Sequence, residues 1–328
     1  MEGRAPVATG ATGFRFAPRQ GWDTALRAGA VPLALLALFV VLSLTADNFL
    51  TSGNLLNLLD QATTLGIIAS AGTLVVVAGG FDLSVGATFA IAGVIAAKVA
   101  NSSDPVLGLL AGVLAGAAIG VANGLLVSTF RINSFIATIA SGLMIRGGAL
   151  AITSGFLITV TATDFEWLGV TQFGDLKLSV IIFAAWAIAM AFLLGRTTFG
   201  RHVYACGGNE EAARLSGIRV GLVRGATFLL SGTAAGLAGV IAASQVASGQ
   251  ADAGTGIELT AIAAIVVGGA SVRGGEGAVW RTVVGVLLLA MIGNGFNLLG
   301  IDPVYQNLVY GGIILAAVGA DARLRGGS

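Results

Sequence analysis

The chain has 328 residues, 56% hydrophobic and 10% charged, with a formal net charge of +1 and a mean hydropathy of +0.92. An ordinary soluble domain carries about 25% charged residues, and one of this size could not cover its surface with so few. A single cysteine, Cys206, and a single histidine, His202, exclude an intramolecular disulfide, a His/Cys metal cluster and a catalytic triad built on a buried histidine.

The two lysines, Lys98 and Lys177, follow Ala97 and Leu176, so no Gly-Lys-Ser/Thr phosphate-binding loop is present. If ATP drives the process, another polypeptide binds the ATP and its magnesium. No metal ligand set and no catalytic residues are expected in this chain.

Residues 1–28 are polar and rich in Gly, Ala and Arg, with Arg4, Arg15, Arg19 and Arg27, and read as a disordered tail. The run Ala30–Ala46 is apolar and long enough to cross most of a bilayer at ~1.5 Å per residue. A cleaved signal peptide is the competing reading, because Arg27 precedes the run and Leu44-Thr45-Ala46 ends it. The long tail and the length of the run favour an uncleaved first helix. Further apolar segments lie near 62–78, 86–100, 105–129, 134–153, 178–195, 225–247, 257–271, 277–300 and 304–320. The expected fold is all-α, a polytopic transmembrane bundle of about ten helices over 29–320, with a short tail at 321–328.

An even helix count puts both termini on one side. That side then carries the N-terminal arginines, Arg131, Arg273, Arg323, Arg325 and the five arginines between Arg196 and Arg224. The other side carries Asp47, Asp60, Asp104, Asp164, Glu166, Asp175, Asp252 and Asp302. The excess of basic residues marks the first side as cytoplasmic, so the N- and C-termini are expected on the cytoplasmic side.

In the 105–129 segment Gly108, Gly112, Gly116, Gly120 and Gly124 recur every four residues, giving a groove where another backbone can approach. Gly232, Ala235, Gly236 and Gly239 repeat the theme in the 225–247 segment. Two weak internal echoes are Asn123-Gly124 against Asn294-Gly295 and Gly79-Gly80 against Gly268-Gly269. The first suits a five-plus-five inverted repeat and the second does not.

The longest basic loop, 196–224, contains a short helix with its own stop signals. Asn209 is a good N-cap, Glu210 and Glu211 sit at the positive end of the dipole, and Gly217 can adopt the left-handed conformation that ends a helix. Such an element either docks on a soluble partner or lies on the membrane as an amphipathic connector.

Within that loop Thr198-Phe199-Gly200-Arg201, Ala205, Gly207 to Glu210 and Ala212 to Ile218 resemble the cytoplasmic loop of the ribose/xylose/arabinose type of ABC importer permeases. Glu211-Ala212-Ala213 with Gly217 resembles the wider coupling motif of importers. Gly79-Gly80-Phe81-Asp82-Leu83-Ser84-Val85-Gly86 is similar to another block of that family. So are Asn123-Gly124 with Phe135 to Thr138 and Arg146-Gly147, and Glu258-Leu259 with Ala261 to Ala264 and Gly268 to Gly275. Gln306-Asn307 with Gly311 fits its final helix. The matches span roughly 62–320. The chain departs from the pattern at Asn133 and Ser134, where many relatives carry proline, and at Thr260, where Asp is common. The resemblance implies a separate ATPase on the cytoplasmic face, an extracytoplasmic solute-binding protein and a second permease copy, commonly in a homodimer. The residues it assigns to ATPase coupling are Asn209, Glu210, Glu211, Ala212, Ala213, Arg214 and Gly217. Pentoses and hexoses lead as solutes; polyols, inositol, nucleosides and branched-chain amino acids stay open. No nucleic-acid partner is implied, and the chain would be embedded in lipid.

Polar residues inside the bundle are the candidates for the translocation pathway. Arg146 lies well inside its helix, as a functional charge, a snorkelling side chain or structural glue. Asp82 lies in a Gly-flanked break that could line a cavity, or it and Ser84 could cap the next helix. Asn123 and Asn294 could line the path or bridge helices. The alternatives are a secondary transporter and a channel. Asp82 is nearly alone among acids near a helix core, which argues against proton coupling.

Overall fold

The computed structural model describes residues 20–302 and 304–325; most of the expected N-terminal tail (1–19) and residues 326–328 lie outside them. Helix α1 (Gln20–Thr45) reaches back into the stretch expected as tail. A turn leads to α2 (Ser52–Val77), which Thr51 caps by accepting the Asn54 amide. The apolar run alone suggested a start near residue 62. The helix begins ten residues earlier because the polar side chains of its first turns have partners. Asn54 exchanges two hydrogen bonds with Asn294, and Asp60 accepts from Lys177, Ser179 and Gln245. Asp60 thus sits within a helix rather than in a loop.

After a break at 78–84 come α3 (Val85–Ser102) and α4 (Pro105–Ser128). Asp104 caps α4 by accepting from the Val106 and Leu107 amides, with proline at the first helical position, where its missing N–H is harmless. Helix α5 (Ser134–Thr153) follows, capped by Asn133. The long 154–177 connection holds strand β1 (Ile158–Thr159), a 3-10 turn (Thr163–Phe165), the single turn α6 (Trp167–Val170) and the hairpin β2 (Gln172–Phe173) with β3 (Leu176–Lys177). Then come α7 (Leu178–Arg196), α8 (Thr198–Gly208), α9 (Glu210–Leu215) and α10 (Val220–Gln245). Strand β4 (Ser248–Gly249) pairs antiparallel with β1. The chain closes with α11 (Ile257–Val267), α12 (Val279–Leu298) and α13 (Val304–Arg325).

Seven of these helices (α2, α3, α4, α5, α7, α10 and α12) are long and apolar enough to cross a bilayer among the described residues, and Val31–Thr45 and α11 are shorter apolar stretches. The bundle centre is α2, whose apolar stretch is 78% buried; α5 is peripheral, with 22% of its stretch buried.

The two glycine faces read from the sequence pack on each other. A Cβ on Gly116 would sit 2.5 Å from Gly232 O and 2.6 Å from Gly236 Cα; one on Gly120 would meet Phe228 O at 2.5 Å. Farther along α4, Gly108 faces Ala96 and Ala100 of α3. These contacts are backbone to backbone, so no rotamer change could admit a side chain. Without a hydrophobic drive between helices in lipid, such close packing is a main source of helix association.

At one end of the bundle three Gly-Gly pairs meet. Gly275 N–H donates to Val77 O at 2.8 Å, a Cβ on Gly274 would lie 2.9 Å from Gly79 Cα, and Gly207 is wedged against Val77 O. The ends of α2 and α8 and the 268–278 turn are thereby locked together. The α2 and α11 termini are also the same motif. Gly79 (φ 81°) bonds Val76 O and Gly80 bonds Val75 O; Gly269 (φ 84°) bonds Val266 O and Ala270 bonds Ile265 O. The echo between Gly79-Gly80 and Gly268-Gly269 is therefore a shared helix stop, shifted by one residue.

Candidate functional site

Helix α9 stands at the same end as the glycine crossing. Asn209 Oδ1 accepts the Ala212 amide at 2.9 Å, and the stop is a double one, Gly217 N–H to Arg214 O and Ile218 N–H to Ala213 O, with Gly217 at φ 84°. Ala213 is buried and anchors the helix, whereas Glu211, Ala212, Arg214 and Leu215 face outward, Leu215 at 84% exposure. Glu210 Oε1 accepts from Arg214 at 2.7 Å, and Glu210 Oε2 accepts from Arg224 at 2.7 Å. The Arg224 Nε in turn donates to Ala78 O at 3.1 Å. One guanidinium therefore joins α9, the first turns of α10 and the end of α2. All the coupling residues expected from the sequence lie on this helix or its caps. Arg224 joins them through Glu210, and its only sequence signal was a basic residue in the same loop.

Beside α9 opens a cavity of about 820 Å³, lined among others by Gly80, Arg131, Ser134, Glu210, Arg219 and Arg224. Gly79 and Gly80 of the 78–84 break line it, and the break is tied to α5 by side chains: Phe81 N–H donates to Ser134 Oγ at 3.1 Å and Leu83 N–H to Thr138 Oγ1 at 3.0 Å. Ser134 here supplies an acceptor that a proline would lack.

Three of the five pathway candidates form one buried chain. Asn123 Nδ2 donates to Ser84 Oγ at 2.8 Å, Ser84 Oγ donates to Asp82 Oδ1 at 2.6 Å, and Ser84 N–H donates to the same oxygen at 3.1 Å. Asp82 shapes the approach to α3; the Ser84 side chain makes no capping bond. The other two lie elsewhere. Asn294 is committed to its amide pair with Asn54. Arg146 Nη1 donates to the carbonyls of Ala251 and Ala253 at 2.7 and 2.9 Å, so α5 clamps the segment before α11.

That segment descends along α3. Gly249 lies against Val94 and Ala97, Gly254 against Phe89, and Glu258 against Gly86. Glu258 therefore lies in the first turn of α11 beside the first turn of α3, about 15 Å along the helix axis from the Gly268 terminus. Asp82 is not nearly alone among interior acids: Glu258 lines the same small cavity. The expected apolar segment 257–271 is shorter as a helix, since α11 has only 11 residues.

Comparison with known proteins identifies the family. A family model described as the permease component of the branched-chain amino acid transport system matches residues 54–318. The chain belongs to this permease family. The ribose import permease protein RbsC of Escherichia coli (strain K12) is 40% identical over 294 residues, covering 88% of this chain and 92% of its own. The L-arabinose ABC transporter permease protein AraH of Azospirillum brasilense is 38% identical over 298 residues, covering 90% and 88%. The D-allose transport system permease protein AlsC of E. coli (strain K12) is 35% identical over 291 residues, covering 88% and 89%. No solved structure matches the chain. The permease is thus a multi-pass inner-membrane transport component rather than an enzyme, and its all-α architecture is the one expected from its sequence.

Proposed function

We propose that the chain is the membrane-spanning subunit of an ATP-binding-cassette importer that carries a monosaccharide into the cytoplasm by alternating access. The observation that carries this reading is the α9 device: a short helix, capped at both ends, with an outward face and a rigid inward connection through Glu210, Arg224 and Ala78. A partner that moves α9 would move the α2–α3 break with it, because Arg224 and the glycine crossing leave little slack.

In this reading a separate ATPase binds ATP and magnesium and docks on α9, with N- and C-termini on the same, cytoplasmic, side. A solute-binding protein delivers sugar to the opposite face. A second copy of the permease covers the poorly buried face of α5 and completes the path. The Asn123–Ser84–Asp82 chain lies at the base of that path. Ser and Asn side chains suit an uncharged polyol, which needs hydrogen bonds rather than a counter-ion. The relatives' names, ribose, arabinose and allose, support a pentose or hexose.

The test is uptake of labelled ribose, L-arabinose and D-allose by inside-out-free membrane vesicles containing the chain with its genomic ATPase and binding protein. Accumulation of one sugar that depends on ATP supports the reading. Uptake that persists without ATP and follows an ion gradient would replace it with a secondary transporter.

A further inference from the structure

A second buried cavity lies deeper in the bundle, lined by Asp82, Ser231, Glu258 and apolar side chains of α2 and α11. Its volume of about 20 Å³ accommodates one particle the size of a water molecule. Three polar atoms around it have no partner at hydrogen-bonding distance: Asp82 Oδ2, Ser231 Oγ and Glu258 Oε2, although the Ser231 hydroxyl lies near enough to the Asp82 carboxyl to interact with it. Asp82 is 8% exposed and Ser231 1%. Buried polar atoms are normally satisfied, so three orphans around one cavity mark a place where a guest supplies the missing interactions.

The charge balance says what kind of guest. Among the described residues no basic nitrogen lies within ion-pair distance of Asp82 or Glu258. The compensating positive charge nearby is that of two helix N-termini. The Glu258 carboxylate touches Gly86 in the first turn of α3 and itself lies in the first turn of α11. Asp82 Oδ1 accepts the Ser84 N–H at the start of α3. Each helix terminus is equivalent to roughly half a positive charge. Two carboxylates facing two such termini keep about one unit of negative charge, which is costly in a desolvated interior.

We propose that this cavity binds one monovalent cation of sodium size, held by the carboxylates of Asp82 and Glu258 and the hydroxyl of Ser231. The donor set is all oxygen, as a hard cation requires. The ion would add a link between the α2–α3 break, α11 and α10 to the one that Arg224 already makes with Ala78 O. This does not depend on the transport reading, since the site would bind its ion in a chain of any function.

The test is the thermal unfolding midpoint of the purified full chain in detergent, titrated with sodium chloride against choline chloride at constant ionic strength. A saturable, sodium-specific rise is expected, on the order of 5 °C at about 100 times the dissociation constant. Asp82→Asn and Ser231→Ala should each abolish or sharply weaken it. Asp82→Asn keeps the side-chain shape and Ser231→Ala removes only a hydroxyl, and the wild-type titration stands even if one variant fails to fold. No sodium-specific rise in the wild type would overturn the proposal and leave a proton as the neutralising charge. An undiminished rise in both variants would overturn it too, placing sodium elsewhere.

Discussion

Arg224 of α10 holds Glu210 of α9 at 2.7 Å while its other guanidinium edge grips Ala78 O at 3.1 Å. The pair is partly exposed to water, 23% for Arg224 and 41% for Glu210, and ion pairs of that kind contribute about 0–1 kcal/mol to stability. In the proposed coupling its importance is mechanical. Glu210→Gln should lower the unfolding midpoint little while reducing ATP-driven uptake at least tenfold. Exchanging the charges (Glu210→Arg with Arg224→Glu) should fail to restore uptake, because a carboxylate cannot donate to Ala78 O. Full activity in the exchanged variant would remove the Ala78 link from the account.

Gly217 has no neighbour within 4 Å of a would-be Cβ, so substitution there is limited by backbone conformation and not by space. At φ 84° a β-branched residue costs roughly 1–2 kcal/mol, whereas Asn tolerates the left-handed region. Gly217→Val should insert in the membrane normally and lose transport, and Gly217→Asn should keep most of it. Equal uptake by the two would show that the helix stop has no part in coupling.

The α4–α10 contact predicts a different failure. Gly116→Val meets backbone atoms of Gly232 and Gly236 that cannot turn aside, so destabilisation should reach or exceed the upper end of the ~1–3 kcal/mol usual for overpacking. Gly195→Ala, which meets nothing within 4 Å, is the matched control. Size-exclusion profiles in detergent should show aggregation of the first variant and a wild-type peak for the second.

Arg146→Ala leaves the Ala251 and Ala253 carbonyls without their donor, at about 1–3 kcal/mol for each that stays dry. Local loosening should appear as faster protease cleavage between residues 246 and 256, with the rest of the digestion pattern unchanged. An unaltered pattern would mean that the clamp does not hold that segment.

Cys206 is the only cysteine and is buried. Burial pushes its thiol up, Arg224 opposes this and Glu210 adds to it. Since the thiolate is the nucleophile, maleimide labelling of the native chain at pH 7 should be slow and should become complete on denaturation. A raised thiol also means that its contribution to stability is full below the ordinary thiol range and is lost as pH rises from there through the raised folded-state value. In a Cys206→Ser background, Ser216→Cys should be labelled by an impermeant reagent from the cytoplasmic side alone. Labelling from outside would invert the proposed topology.

Periodic and punctuating residues made much of this legible. The glycines of α4 and α10 announced their contact by spacing, and Asn209 and Gly217 bracketed α9 because caps are local chemistry. What stayed hidden depends on long-range partners. Asn54 and Asp60 look like loop residues until Asn294, Lys177 and Ser179 come to meet them. Glu258 was not among the interior candidates, because nothing local says that the 246–256 segment enters the bundle. Arg224 was one arginine among five in its loop; its role comes from Ala78, 146 positions away in sequence.

The central claim is that a separate ATPase works on α9. The most direct measurement is purification of the chain from its native membrane in mild detergent, with mass spectrometry of what accompanies it, beside the Glu210→Gln and Gly217→Val variants. The account predicts a protein with a Gly-Lys-Ser/Thr phosphate loop in stable association with the wild type, and less of it with the variants. Reproducible recovery of the folded chain without such a protein would contradict it.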